Sequence, residues 1–163
     1  MALDRKKMDQ MRRALHRYDE TMATWKALRE EMSHERRDAH QAEVRSTDAL
    51  IRQLAEERLL ERAFLALSDA AILTIEWLIH RDVGSYEEMV DILELEEAID
   101  TEEAHAMRLL VHAYRALTRD YLQGDTSALH ISSTFEQLSL PILARLSALL
   151  RTFWSKEGVP LDG

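Results

Sequence analysis

The chain has 163 residues, of which 46% are hydrophobic and 31% are charged, and its formal net charge is −9. This length fits a single domain that buries its own core, and the composition excludes a disordered or membrane-embedded chain. No cysteine is present, which excludes disulfides, thiolate metal sites and cysteine nucleophiles. The acidic charge disfavours general coating of DNA, because it repels phosphate in bulk.

The composition also predicts an all-α fold. Only four glycines and two prolines occur, too few for a protein rich in hairpins or phosphate-binding loops, whereas residues that form helices readily are frequent. We expect one antiparallel bundle of about five helices over residues 1–157, followed by a flexible tail over 158–163. The charged N-terminus does not have the form of a signal peptide, and residues 63–79 are too often interrupted by polar side chains for a membrane span. We therefore expect a cytoplasmic protein.

The first predicted helix is long and amphipathic, running from about Asp4 to Met32. Its apolar residues lie three or four positions apart and form a near-heptad seam of Met8, Met11, Leu15, Tyr18, Met22, Trp25, Leu28 and Met32. A narrow seam on a helix of this length needs a long partner, either the second helix or another subunit. An uncovered seam would expose a sizeable apolar stripe, so we expect a homodimer.

The second and third helices follow a polar stretch over 33–45, which we interpret as a linker. The second helix is predicted over about 47–81, and its C-terminal half is apolar nearly all round, as in the central helix of a bundle. Ser85 and Glu88 form a capping box, in which the serine accepts from the glutamate amide and the glutamate reaches back. This box predicts a short third helix over about 86–95.

The fourth and fifth helices are delimited by equally local signals. The fourth is predicted to begin at a cap on Asp100 or Thr101 and to continue to about residue 122, where Gly124 stops it. The fifth is predicted over about 127–154. Pro141 lies inside that range and should kink or break the helix, because it lacks a backbone N–H and clashes with the preceding turn.

Ionisable side chains gather on the second and fourth helices. Asp69, Glu76 and His80 are seven and four residues apart, so they share one face of a mostly apolar helix. The fourth helix carries a basic stripe, which we call the α4 stripe, made of Arg108, His112, Arg115 and Arg119. Because a buried carboxylate needs a cationic or donor partner, we expect Asp69 to be buried and bonded to Arg115 or His112.

The α4 stripe allows two interpretations. It can line an anion-binding or RNA-cleaving groove, in which the arginines hold phosphate and His112 acts as acid or base. It can also be a solvated or dimer-facing stripe that pairs with the carboxylates of the second helix and of the acidic segment 94–97. Glu76 and His80 have the i,i+4 spacing of helical ligands, and His105 and His112 are two turns apart, but neither pair gives the His-Glu-x-x-His pattern of a zinc-binding helix. We therefore predict no metal and no cofactor.

Four further features occur in order between residues 57 and 154. The second helix ends in Arg-Asp-Val-Gly-Ser-Tyr at 81–86 and is followed by Glu-Glu-Met-Val-Asp-Ile-Leu at 87–93. Asp69 lies sixteen residues before Ser85, an acidic turn and a helix start come at 98–103, and the fourth helix ends in a segment rich in Arg, His and Tyr. In order and spacing this stretch resembles the HepT-like branch of the HEPN superfamily, also known as domain of unknown function 86.

The resemblance implies a helical bundle that usually dimerises. Active members are metal-independent endoribonucleases, toxins restrained by a partner nucleotidyltransferase. Their motif is an Arg, usually followed by Asn, with a His five residues after the Arg and a Tyr two residues after the His. Ungapped spacing from the third-helix start puts these positions on Tyr114, Arg115, Arg119 and Tyr121. Only Tyr121 then matches the motif, whereas a register from Arg108 to His112 and Tyr114 is one residue too short between Arg and His.

The ungapped register has a chemical consequence at Arg119. RNA cleavage without a metal needs a group that takes and gives a proton near pH 7, and arginine cannot deprotonate. The resemblance therefore implies a catalytically degenerate relative that acts as a dimeric RNA- or anion-binding or interaction module. Two alternatives stay open. One is an active RNase toxin that uses His112 and Arg108 and has a nucleotidyltransferase antitoxin, and the other is a plain dimerisation protein whose basic stripe pairs internally.

Overall fold

The computed structural model describes residues 5–35, 45–123 and 136–161, which form an antiparallel bundle of five α-helices. The helices are α1 (Arg5–Glu35), α2 (Arg45–Thr74), α3 (Tyr86–Leu95), α4 (Thr101–Gln123) and α5 (Leu140–Lys156). No strand occurs within these ranges, so the predicted all-α bundle with a long first helix is confirmed. None of the described helices combines the length and the low polarity that crossing a bilayer requires.

The two long helices α1 and α2, of 31 and 30 residues, pack against each other as the most extensive helix pair of the bundle. Four seam residues of α1 are completely inaccessible to solvent: Met11, Leu15, Tyr18 and Trp25. The long partner that the seam requires is therefore α2 of the same chain. The argument for a homodimer from an uncovered α1 seam is wrong, because no such stripe is left exposed.

Polar atoms on the buried aromatic rings of α1 bind partners on neighbouring helices. The Tyr18 hydroxyl donates to the Leu143 carbonyl of α5 at 2.6 Å, and Trp25 Nε1 donates to Glu56 Oε1 of α2 at 2.9 Å. Arg29 Nε donates to the same Glu56 oxygen at 2.9 Å. Burial raises the pKa of Tyr18 well above its usual value, and the nearby Asp19 adds to the rise. The Tyr18 hydroxyl therefore stays protonated and able to donate.

The C-terminal end of α2 departs from regular α-helical geometry. Residues Ile75–Ile79 form a π-helical turn, and His80 follows in the left-handed region at φ 57°. Directly before this turn, Thr74 Oγ1 donates to the Ala70 carbonyl and accepts from Trp154 Nε1 of α5, each at 2.8 Å. Because Thr74 and Trp154 are both buried, this bond fixes α5 against the point where the helix changes its pitch.

The residues predicted to cap the helix starts do so largely as the sequence predicts. Ser85 Oγ accepts from the Glu88 amide at 3.1 Å, while Glu88 Oε2 accepts at 2.8 Å from Gly84 N, one residue before the expected donor. Asp100 Oδ1 accepts from two amides in the first turn of α4. Pro141 lies in the first turn of α5, so the expected break falls at the helix start. The earlier part of the predicted fifth helix, before residue 136, lies outside the described residues.

The prediction of a flexible tail over residues 158–163 is wrong as far as residue 161, because this segment packs against the bundle. Val159 and Leu161 are buried, and Arg12 Nε of α1 donates to the Leu161 carbonyl at 2.9 Å. Two apolar side chains and one backbone acceptor are enough to dock this end against the bundle, because each buried aliphatic side chain contributes about 1.5–3 kcal/mol. Residues 162–163 and most of the predicted linker, 36–44, lie outside the described residues.

The bond between Thr74 and Trp154 gives a stability test. The substitution Thr74→Val keeps the side-chain shape but leaves the buried Trp154 N–H without its acceptor, so we expect a loss of about 1–3 kcal/mol in the free energy of unfolding. Urea denaturation measures this loss. The matched control is Thr152→Val, because the exposed Thr152 hydroxyl bonds only to the Ala148 carbonyl, and it should cost less than about 0.5 kcal/mol. Equal losses in the two variants would contradict the assigned role of Thr74.

Candidate functional site

The first part of the α4 stripe is held by acidic residues of α3. Arg108 Nη2 donates to Asp91 Oδ1 at 2.7 Å and to Glu94 Oε2 at 2.6 Å, and both contacts are also ion pairs. The hydrogen bonds to Asp91 and then Glu94 raise the pKa of Arg108 above its already high value. Arg108 is therefore a permanent cation whose donors point at α3.

Arg115, two turns further along α4, binds α3 in the same way. Both of its terminal nitrogens donate to the two carboxylate oxygens of Glu87, with Nη2 to Oε2 at 2.7 Å. About half of each side chain is exposed, so the pair adds little to stability. The pair does, however, neutralise the charge of Arg115. Two arginines of the stripe thus face three carboxylates of α3, which is the internal pairing that the second interpretation of the stripe describes.

His112 lies between these two arginines and is exposed. It makes no hydrogen bond or ion pair with any residue that the structure describes. Arg119 is also exposed, one turn beyond Arg115. Tyr121 belongs to α4, but its side chain lies outside the described part. The arrangement thus brings His112 near guanidinium groups, but no described carboxylate orients its ring as a general base would require.

Tyr114 belongs to an aromatic cluster that the sequence analysis missed. Its ring stacks on Phe64 of α2 with centroids 3.8 Å apart and planes inclined by 16°. Tyr86 of α3 lies edge-on to Phe64 at 4.8 Å and to Tyr114 at 6.4 Å. Such stacked and edge-on rings attract one another beyond the area they bury. The cluster joins three helices, so Tyr114 has a packing role that its position in a motif does not reveal.

The predicted environment of Asp69 is wrong. Its side chain is 60% exposed, and its Oδ2 pairs with Arg17 Nη2 of α1 at 3.3 Å instead of with a group on α4. The neighbours Ser68 and Ala70 are buried, but adjacent positions on a helix point about 100° apart, so Asp69 can face outward between them. Glu76 is likewise exposed, within the π-helical turn. The carboxylates of α2 and the stripe of α4 do not form one site.

A groove between α1 and α2 is the second site that the sequence analysis missed. Its volume is about 430 Å³, and its lining residues are Gln10, Arg13, Ala14, Arg17, Asp69, Ile72 and Leu73. The signal was present in the sequence: Lys6, Gln10, Arg13 and Arg17 have the same 4, 3, 4 spacing as the α4 stripe. We call this feature the α1–α2 groove.

Acidic and histidine side chains do not gather into a metal site in the described residues, where no group of three or more could hold an ion. Among the side chains that the structure describes, the one buried carboxylate is Glu103 in the first turn of α4, whose Oε1 lies 3.3 Å from Arg145 Nη2 of α5. Its Oε2 is buried without a hydrogen-bond partner. Arg145 also binds Glu102 at 2.7 Å. This group joins α4 to α5 and is structural.

Comparison with known proteins supports the fold. No family model matches the sequence, and no curated protein matches it. A solved structure is similar, that of YutE, a cytosolic protein of unknown function from Bacillus subtilis. The likeness has a TM-score of 0.69, covers 97% of this chain and 95% of that chain, and has 20% sequence identity. At this identity the likeness shows a shared helical fold and nothing about activity.

The corrected position of Asp69 changes the expected cost of removing it. Because the pair with Arg17 is exposed, Asp69→Ala should lower the free energy of unfolding by less than about 1 kcal/mol. A double-mutant cycle with Arg17→Ala should give a coupling energy of similarly small size, which decreases further as salt is added. Loss of about 3 kcal/mol or more, the cost of leaving a buried partner unpaired, would contradict this geometry.

Proposed function

We propose that this protein is a catalytically degenerate, cytoplasmic relative of the HepT-like HEPN ribonucleases and acts as a dimeric interaction module. The observation that carries the proposal is the engagement of Arg108 and Arg115 by the carboxylates of α3. Cations held in this way are poor phosphate ligands, because RNA must first displace the carboxylates. The fold shared with YutE, which is described as cytosolic, supports the location and the architecture.

The catalytic motif supports the same conclusion in every register. In the ungapped register Arg119 takes the histidine position, and the register that begins at Arg108 is one residue short. The motif can also be anchored on His112 and Tyr114, which puts its arginine position on Met107. Met107 is buried in the core and carries no charge. Each register thus lacks the arginine, the histidine or the spacing that metal-free cleavage needs.

The interaction surface that we propose lies on the outer face of α2. Three large apolar side chains there are more than half exposed in the described structure: Leu50, Ile51 and Leu54. The occupant that fits this face is a second copy of the chain. In an antiparallel contact centred near residue 53, the exposed Asp48 of one copy would lie level with the exposed Arg58 of the other, at both ends of the apolar patch. Such self-complementarity is what a two-fold interface requires. Arg58 also pairs with Glu61 of its own chain at 2.5 Å, so Asp48 would join an existing ion pair.

Ribonuclease activity tests the degenerate assignment. Purified protein incubated with a generic RNA and no added metal should cleave no faster than the His112→Ala and Arg119→Ala variants, because no residue pair supplies both phosphate binding and proton transfer. The rate of cleavage is measured as the loss of full-length, end-labelled RNA on a denaturing gel. Robust cleavage that His112→Ala abolishes would contradict the proposal and favour an active toxin that uses His112 and Arg108. A nucleotidyltransferase antitoxin would then be the partner to seek.

Light scattering over a dilution series tests the dimer. We expect the wild type at micromolar concentration to have twice the chain mass of 18.9 kDa. The substitution Leu54→Glu should shift it to the single-chain mass, because it puts two like charges close together across the two-fold axis. The matched control is Leu95→Glu at the end of α3, where the leucine is 70% exposed, and it should leave the mass unchanged. A wild type of single-chain mass at every concentration would refute the interface.

A further inference from the structure

Two long helices packed side by side leave a groove on each side of the pair. On one side of α1 and α2, the helix α5 fills the groove and binds Tyr18 and Asp19 of α1. The α1–α2 groove lies on the other side, because Arg17 in its lining is two positions from Asp19 and therefore about 200° away around the helix. A groove between two helices is where the side chains of a third helix pack.

This second groove lies in the most basic part of an acidic chain. Residues 5–17 contain six Lys or Arg side chains and one acidic side chain, Asp9, although the whole chain carries a net charge of −9. Arg17 pairs with Asp69 at 3.3 Å, whereas Arg13 makes no hydrogen bond or ion pair with another described residue. A helix that covers the groove must therefore bring carboxylates, which bind Arg13 and extend the pair at Arg17.

The lining of the groove adds an apolar requirement. Ala14, Ile72 and Leu73 form an aliphatic surface beside the arginines. The side chains of Ile72 and Leu73 are only partly buried, so a partner that covers them gains about 25 cal/mol for each Å² removed from water. The volume of about 430 Å³ accommodates a few aliphatic side chains of a helix that lies along the groove. The occupant therefore needs an apolar stripe flanked by acidic residues, as an acidic amphipathic helix has.

The acidic helix of this chain, α3, does not meet that requirement in a second copy. Met89 and Leu93 on its apolar side are completely inaccessible to solvent within their own bundle. We propose that the α1–α2 groove docks an acidic amphipathic helix of a different protein, with its carboxylates on Arg13 and Arg17 and its apolar stripe on the aliphatic lining. This adds a partner to the interaction module proposed above but uses a different surface from the dimer patch, so the loss of either interaction leaves the other intact.

Fluorescence anisotropy of labelled peptides, titrated with the full chain at low salt, tests the groove. The acidic probe is a stapled helical peptide of about 15 residues made of Leu, Glu and Ala, whose leucines recur every three or four positions between flanking glutamates. A second probe has Lys in place of every Glu, and a third has the composition of the first in an order that forms no apolar stripe. We expect the acidic amphipathic probe to bind at least about tenfold more tightly than either of the others, because it alone matches both the charge and the aliphatic lining.

The substitution Arg13→Glu removes the available guanidinium and places a like charge opposite the peptide, so it should weaken binding of the acidic probe by about tenfold or more. Because Arg13 is exposed, the melting temperature of this variant should stay that of the wild type. The matched control is Lys26→Glu, which makes the same change of charge at a side chain of α1 that is 73% exposed and lies outside the groove lining. Its affinity for the acidic probe should stay within about twofold of the wild type.

Equal losses of affinity in the two variants would overturn the site in favour of diffuse charge attraction. A reordered acidic probe that binds as tightly as the amphipathic one would overturn the docked helix in favour of a polyanion, RNA included. Tight binding of the lysine probe would refute the assigned charge, and no binding of the acidic probe at millimolar concentration would refute the docking surface. Light scattering on the Arg13→Glu variant separates these outcomes from the dimer, because the variant should keep the mass of the wild type.

Discussion

The burial of the α1 seam against α2 is the interaction on which the rest of the bundle depends. It fixes two long helices side by side, and α5 then attaches to α1 through polar contacts that only this alignment makes available. Tyr18 donates to the α5 backbone, and Asp19 accepts from Ser147 and from Arg151, the latter at 2.7 Å. A single amphipathic helix thus contributes the core, the attachment of the last helix and one wall of a groove.

Charge is distributed so that the two basic faces of the molecule have different chemistry. On α4, Arg108 and Arg115 stand opposite the acidic helix α3, and their donors bind its carboxylates. On α1 the basic side meets α2, which offers a single carboxylate at that point, Asp69. A basic stripe identified by spacing alone is therefore not equivalent to a binding surface. What decides is the charge on the neighbouring helix.

The features that were predictable from sequence are those that depend on residues close together in the chain. The α1 seam, the capping box at Ser85 and the cap at Asp100 each follow from spacings of seven residues or fewer. The outward orientation of Asp69 did not follow, because its immediate neighbours are buried and only the packing angle between helices decides which side it faces. The stacking of Phe64 on Tyr114 and the docking of Leu161 on Arg12 join residues far apart in sequence, and no local pattern encodes them.

The π-helical turn at Ile75–Ile79 bears on how this chain is compared with others. A π turn holds about one residue more than an α turn, so positions before and after it are out of phase by one residue with a helix that lacks it. The spacing of sixteen residues between Asp69 and Ser85 spans this turn. In a homologue whose second helix stays α-helical throughout, the structurally equivalent residues would be fifteen apart. An alignment of this chain with such a homologue would need a single-residue gap within the π-helical turn.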